Sequence, residues 1–129
     1  MKVGLAVYEL LNDETTAGTR VFPELAPEGT VMPYIVYSVV SNQPSDAKDG
    51  TPIDEAQVEI YSVADSYSAA NLLADAVRAQ IDRKSTTVTD ASVGTIDVQS
   101  VVYTNEVIEV SQDRKTYIAV QDYTFRIKR

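Results

Sequence analysis

Residues 33–40, Pro-Tyr-Ile-Val-Tyr-Ser-Val-Val, carry the pattern that most restricts how this chain can fold. β-Branched and aromatic side chains dominate the run, and its proline stands first, where a strand tolerates the missing N–H. Apolar side chains occur at both parities, so both faces of the strand should be at least half-buried. We therefore expect this strand to lie centrally in a covered sheet.

Two helical patterns provide the cover. Apolar residues recur at i, i+3, i+4 and i+7 in residues 2–12, which predicts a short amphipathic helix. A longer helix is predicted over residues 66–84, with Asp65, Ser66 and Ser68 all competent as N-cap. Its apolar stripe comprises Ala69, Leu73, Val77 and Ile81 and is widened by Ala70, Leu72 and Ala76. Arg78 and Asp82 form an i,i+4 pair on the exposed side.

Four further strands follow from composition and from period-2 alternation. A short edge strand is expected near residues 20–23, because Pro23 lacks a ladder donor. Alternating residues at 56–61, 96–103 and 117–127 indicate three more strands, of which the first has one face toward water.

Two polar segments are predicted to connect these strands. Residues 41–55 are rich in Asn, Pro, Ser, Asp and Gly, which is typical of a long exposed loop. Residues 105–114 form a polar connection in which Val107, Ile108 and Val110 suggest an extension of the preceding strand. The order of elements predicts an α+β fold. It is an antiparallel sheet of about four to five strands, with an N-terminal helix and one long central helix packed on one face. The length fits a single domain over residues 1–129.

The amino-acid composition excludes most kinds of catalytic site. The chain has no cysteine and no histidine, which excludes thiolate metal sites and disulfides, the cysteine nucleophile and the commonest general base. Phosphate-binding loops, dinucleotide fingerprints and serine nucleophile elbows are also missing from the sequence. Asp13 and Glu14 could serve acid–base chemistry, but nothing places a partner carboxylate beside them. We predict no enzyme activity and no cofactor.

A metal site is the next possibility, because Asp46, Asp49, Asp54 and Glu55 cluster closely. A calcium loop needs acidic residues at alternating positions before a glycine and a distal Glu. Here the spacing is broken and Lys48 lies inside the segment. A solvated loop is the preferred interpretation.

Charge and tyrosine content favour protein contacts. The net charge is −8, from 19 acidic and 11 basic residues, so attraction to phosphate is not expected. The basic end, residues 126–129, suits solubility or a salt bridge to a neighbouring subunit better than nucleic acid. Eight tyrosines accompany only two phenylalanines, and tyrosine suits surfaces that become buried on association. The predicted strand tyrosines are Tyr34, Tyr37, Tyr61, Tyr103, Tyr117 and Tyr123. Interface residues are predicted at Tyr34, Tyr37, Tyr61 and Tyr103 and in the loop at Asp46, Lys48 and Asp49.

The N-terminal apolar run, residues 3–7, is too short for a signal peptide or a membrane span, so we expect no membrane association.

Several segments, taken in order, resemble the tail-completion or tail-terminator proteins of long-tailed bacteriophages and prophages. They are residues 20–41 with Pro-Tyr-Ile-Val-Tyr, Gln57-Val-Glu-Ile-Tyr-Ser, the helix opening at residues 66–70, and Asp122-Tyr-Thr-Phe. The resemblance implies an α+β fold and a ring, usually hexameric, at the head-proximal end of the tail. Such a ring stops polymerisation of the tail tube and provides a docking face for the head.

The partners implied by the resemblance are further copies of the chain, the tail tube protein and a head-completion or neck protein. DNA would pass through the ring without specific binding. The protein would be assembled in the host bacterial cytoplasm and reside in the virion tail. Two alternatives remain, namely another neck or connector protein of the virion and a small-molecule-binding domain outside viruses.

Overall fold

The first helix forms where the amphipathic pattern predicts it. The computed structural model describes residues 2–129, and α1 spans Lys2–Leu11. Its buried residues are Val3, Ala6, Val7, Leu10 and Leu11, which share one face at helical spacing. The short N-terminal helix is confirmed.

The second helix, α2, spans Tyr67–Ile81, which is shorter than the predicted residues 66–84. Ser66 is the N-cap, since its side chain accepts a hydrogen bond from the Ala69 N–H at 3.1 Å. The helix ends before Arg83, which adopts a φ of 61°. Leu72 was predicted to widen the apolar stripe, and this is wrong because the side chain is 68% exposed. The buried face consists of Ala70, Leu73, Ala74, Val77 and Ile81.

The strands form one six-stranded sheet in the order β1-β2-β3-β6-β5-β4. β1 pairs in parallel with β2, and every other neighbouring pair is antiparallel. The predicted α+β class is confirmed, whereas the predicted four to five antiparallel strands become six strands in a mixed sheet. The strands are β1 (Val21–Pro23), β2 (Tyr34–Pro44), β3 (Ile53–Ala64), β4 (Thr86–Asp90), β5 (Gly94–Val110) and β6 (Tyr117–Lys128).

Two differences from the predicted strands, at residues 41–44 and at β4, have a common physical reason, which is that backbone pairing is indifferent to side-chain polarity. The polar residues 41–44 continue β2, because they pair with residues 54–57 of β3. The predicted loop of residues 41–55 is therefore shorter, and the connection is residues 45–52. Residues 105–110 continue β5 in the same way along β6, as the valines there suggested. The edge strand β4 was not predicted at all, although it carries three β-branched threonines.

The sheet curls around α1. α1 touches β1 and β2 near one edge of the sheet and β4 and β5 near the other, while α2 covers the central strands β3 and β6. Both helices therefore lie on the same side, which we call the inner face. The opposite surface, called the outer face, is covered by neither of the helices in residues 2–129. β2 lies second from one edge of the sheet and has strand neighbours on both sides only where β1 pairs with Ile35–Tyr37, so its predicted central position is wrong.

Candidate assembly interface

The carboxylates that suggested a metal site are used by the fold itself. Asp46 accepts from the Ile53 N–H at 3.2 Å, and Asp49 accepts from both the N–H and the hydroxyl of Thr51. Asp54 and Glu55 are paired with arginines. Across residues 2–129 no group of three or more acidic residues is arranged to hold a metal ion.

Two arginines at the C-terminus fasten the connection between β2 and β3, which we call the hairpin loop (residues 45–52). Arg126 donates to the Glu55 carboxylate at 2.8 Å and to the hydroxyl and carbonyl oxygens of Ser45 at 3.1 and 3.2 Å. Arg129 donates to Asp46 at 2.7 Å and to Asp54 at 2.9 Å. The donation from Arg129 holds the pKa of Asp54 below its usual value. The basic end thus forms its ion pairs within its own chain.

The hairpin loop has internal structure of its own. The Ala47 N–H donates to the Thr51 carbonyl at 2.9 Å, and Gly50 provides the positive φ of 87° that the turn requires. The hydroxyl of Thr51 lowers the pKa of Asp49. Of the predicted interface residues, Asp46 lies at the base of the loop, whereas Lys48 and Asp49 lie exposed near its tip. The loop is a short structured arm that carries a cation and an anion together.

The predicted interface tyrosines separate into two groups. Tyr34 and Tyr61 are half-buried on the outer face, where they line an open groove of about 400 Å³. The groove also contains Val36, Val63 and Ile118, and the 82% exposed Leu25 stands at its border. Partial burial and then the charge of Glu59 raise the pKa of Tyr61, so its hydroxyl is neutral at physiological pH. This groove presents apolar surface with polar tips.

Tyr37 and Tyr103 instead contribute to the inner face. Tyr37 is 6% exposed and belongs to the core cluster around α1. Tyr103 packs edge-to-face on Tyr123 at 5.7 Å, and the Arg78 guanidinium lies 3.8 Å above its ring. Burial raises the pKa of both hydroxyls. Within one chain these two rings already have packing partners. The predicted Arg78–Asp82 pair is present at 3.3 Å.

A buried polar network under α2 was not predicted. Gln121 is fully buried, donating to the Ala74 carbonyl at 3.1 Å and to Glu106 at 2.8 Å. Its amide oxygen accepts from the Tyr123 hydroxyl at 3.2 Å. The signal for this network is a glutamine at a position where the alternation of β6 calls for an apolar residue.

Neither helix in the described part of the chain has the length and apolar character that a membrane-spanning helix needs.

Comparison with known proteins places this domain among virion components. The family model described as Tail completion protein gp17 matches residues 6–128, from α1 to the last residue of β6. Among solved structures, a chain from the virion of a native gene transfer agent (GTA) particle has a TM-score of 0.69 with this one. The two share 15% sequence identity over 95% of this chain and 92% of the other, which shows a common fold. None of the curated proteins matches the chain.

Proposed function

The chain belongs to the gp17 family of tail completion proteins, and from this premise we propose that it forms a ring at the head-proximal end of a phage tail. It is a structural protein of the virion tail. In the proposed assembly six copies close the ring, end polymerisation of the tail tube and join the tail to the head. No catalytic step is part of this function.

The observation that carries the proposal is the extent of the family match, which covers residues 6–128 and so includes the second part of α1, all of α2 and the six strands β1–β6. The distribution of polar groups supports it. The carboxylates of Asp46, Asp54 and Glu55 and the arginines of the C-terminus are engaged in holding the fold. The open groove is lined largely by tyrosine and aliphatic side chains. Apolar surface with polar tips suits contact with proteins.

We assign the hairpin loop to contact with a neighbouring subunit or with the last ring of the tail tube. An arm that is already held by internal hydrogen bonds and by two arginines loses little conformational freedom when it docks. Lys48 and Asp49 near its tip offer charges of both signs. Of the four predicted interface tyrosines, Tyr34 and Tyr61 remain available for further contacts in the virion.

DNA passes through the proposed ring without specific recognition. The net charge of −8 opposes attraction to phosphate, and Arg126 and Arg129 are paired with carboxylates. The remaining alternative within the virion is another neck or connector protein, and it would bind the head rather than the tube. Incubating the purified protein separately with tail tubes and with heads distinguishes the two.

The decisive experiment is electron microscopy of tails assembled with a hairpin-loop variant. Replacing residues 46–52 by Asn-Gly keeps the closing hydrogen bond from the Ser45 N–H to the Ile53 carbonyl, which measures 2.7 Å, and gives a two-residue turn. We expect the domain to fold and the tails to become over-long or headless. Normal virions at normal yield would refute the role of the loop.

A matched control shortens the opposite connection. Residues 112–115 between β5 and β6 are replaced by Asn-Gly, which keeps the hydrogen bond from the Ser111 N–H to the Thr116 carbonyl at 2.9 Å. This variant should assemble tails of normal length. If tails made without any copy of the protein also have normal length and carry heads, the proposed ring function itself is wrong.

A further inference from the structure

Two strands of the sheet have long edges that no other strand covers. On the side away from β6, β5 is paired with β4 only from Gly94 to Val98. On the side away from β3, β2 is paired with β1 only from Ile35 to Tyr37. In the described residues 2–129 no further strand pairs with either edge, so residues 104–110 and 40–44 are open on that side.

The hydrogen bonds around β5 determine which of its backbone groups face outward. The Tyr103 N–H donates to the Asp82 carboxylate at 3.1 Å, so it points away from β6. A bulge at Thr104 shifts the register, and the Ser111 N–H points back toward β6 because it donates to Thr116. Along an antiparallel strand, successive residues direct their backbone groups alternately toward and away from the paired strand. Between Thr104 and Ser111, the N–H and C=O groups of Glu106, Ile108 and Val110 therefore point away from β6, along the free edge of the sheet.

The free edge of β2 has a similar pattern of backbone groups. The Val39 N–H points outward to the Glu24 carboxylate at 3.4 Å, and a bulge follows at Val40. The Ser45 N–H points inward to the Ile53 carbonyl. Asn42 therefore directs both its N–H and its C=O outward, and Pro44 directs its carbonyl outward. Each edge is thus a short row of free backbone groups that begins at a bulge.

We propose that adjacent copies of this chain join by strand pairing, with residues 106–110 of β5 hydrogen-bonded to residues 40–44 of β2 in the next copy. The inference rests on the proposed ring, because a ring needs two different surfaces on each subunit that fit one another. The open row of β2 offers Asn42 and the Pro44 carbonyl and fits within the longer row of β5. The two rows lie on opposite edges of the sheet, so one subunit can supply both sides of the contact.

The directions of the strands and the exposed valines support a second copy of this chain as the partner that pairs with the free edges of β5 and β2. The strands β2, β3, β6 and β5 alternate in direction, so β5 runs opposite to β2 within one chain. Rotation about an axis along the strands keeps each strand's direction. The β5 strand of one copy is therefore antiparallel to the β2 strand of the next copy. Val107 and Val110 are 49% and 50% exposed, and Val40 is 57% exposed. These side chains flank the two rows and would be shielded from water by the contact.

The contact also has a geometric consequence. The open row of β5 pairs on its other side with residues 117–121 of β6. The open row of β2 pairs on its other side with residues 54–57 of β3, and these in turn pair with residues 124–127 of β6. The two rows thus lie at opposite ends of the sheet. Pairing them under pure rotation requires strands inclined to the ring axis, as in closed β-barrels.

Engineered cysteines test the pairing without interference, because the chain has no cysteine. Residues that face each other as a hydrogen-bonded antiparallel pair have Cα atoms about 5.5 Å apart, which is within the range for a disulfide. Asn42→Cys is combined in turn with Glu106→Cys, Ile108→Cys and Val110→Cys, and each protein is oxidised alone and on tail tubes. We expect one combination to give a ladder of cross-linked oligomers on a non-reducing gel. Its yield should exceed that of either single variant by roughly tenfold or more, because the sites are held at high effective concentration.

The other outcomes separate the strand pairing from the ring. Cross-linked dimers from Ile108→Cys alone would mean that β5 pairs with β5 about a two-fold axis, and this would overturn the inference. Failure of all three combinations, while the unmodified protein forms an oligomer on a sizing column or on tubes, would overturn the strand pairing and leave the ring standing. Unmodified protein that is monomeric under both conditions would overturn the proposed ring and with it the pairing.

Discussion

The guanidinium of Arg129, the last residue, lies 2.7 Å from the carboxylate of Asp46 in the hairpin loop. The same guanidinium donates to Asp54 at 2.9 Å and to the Ile53 carbonyl at 3.0 Å. One side chain at the C-terminus thereby connects the first half of the loop with the start of β3. The connection between β2 and β3 depends in this way on a residue far away in the sequence.

Replacing Arg129 by glutamine should loosen the hairpin loop without unfolding the domain. The ion pairs are partly exposed, and such pairs contribute little to global stability. Hydrogen exchange measured by NMR should show faster exchange of the Ala47 amide and unchanged protection in α2. The control is Lys128→Gln, since Lys128 forms no ion pair within residues 2–129. Equal exchange of Ala47 in all three proteins would contradict the assigned role of Arg129.

The titration of Asp54 should report the same contact. Donation from Arg129 lowers the folded-state pKa, so the stabilisation is fully present above the unfolded value of about 3.9 and is lost as pH falls through the folded pKa. In Arg129→Gln the NMR midpoint of the Asp54 carboxyl should rise toward the ordinary value. Asp49 is the internal control, because Thr51 lowers its pKa mainly by hydrogen bonding. An unmoved Asp54 midpoint would contradict the contact.

Aspartate substitutions at the neighbouring residues Leu72 and Leu73 of α2 should differ greatly in their effect on the stability of the domain. Leu73 is 1% exposed in the core, so Leu73→Asp buries an unpaired carboxylate at a cost of roughly 3–5 kcal/mol or more. This is comparable to the whole stability of many domains, and circular dichroism should show an unfolded protein. Leu72→Asp, on the exposed side, should change stability by no more than about 0.5 kcal/mol. A well-folded Leu73→Asp variant would show that the packing of α2 is misassigned.

Replacing Gln121 by leucine should lower the free energy of unfolding, even though the side chain lies in the apolar core. Leucine at this position leaves the buried Tyr123 hydroxyl without its acceptor, for which we expect a loss of about 1–3 kcal/mol in urea unfolding. Gln57→Leu is the matched control on the outer face, where the half-buried amide accepts one hydrogen bond from Thr124. It should cost less. Equal losses, or a stabilised Gln121→Leu variant, would contradict the importance of the network.

Proline substitution should distinguish the two sides of β5. Ile108→Pro removes an N–H that faces outward, which an edge strand tolerates, whereas Val107→Pro removes a hydrogen bond to β6. Thermal unfolding should show Val107→Pro less stable by about 1–3 kcal/mol than Ile108→Pro. The opposite order would mean that the outward row has been assigned to the wrong residues.

Local patterns in the sequence predicted much of the fold. The amphipathic spacing around Val3 and Val7 produced α1, and the stripe of Leu73 and Val77 produced the buried face of α2. These patterns succeed because burial on one side of a helix or strand imposes a fixed period on apolar residues. The ordered segments that resemble tail completion proteins also predicted the family that the comparison confirms.

Other features of the fold could not be predicted from the sequence, because they depend on which strands pair with one another. Residues 41–44 look like a loop but pair with β3, and Thr86–Asp90 pairs with β5 although it has little apolar content. Tyr34 and Tyr37 belong to one strong strand pattern, yet only Tyr34 reaches the outer face groove. Strand parity separates odd from even positions, but it does not say which set the helices will cover.

The sequence by itself determined the α+β class, the two helices, the main strands and the lack of cysteine and histidine chemistry. Tertiary structure alone decided that β1 joins in parallel, that Arg126 and Arg129 fasten the hairpin loop, and that β2 and β5 keep open edges. The physical reason is range. Periodicity and turn chemistry act between residues close in the chain, whereas ion pairs and strand edges are set by residues that meet only after the sheet has closed around α1.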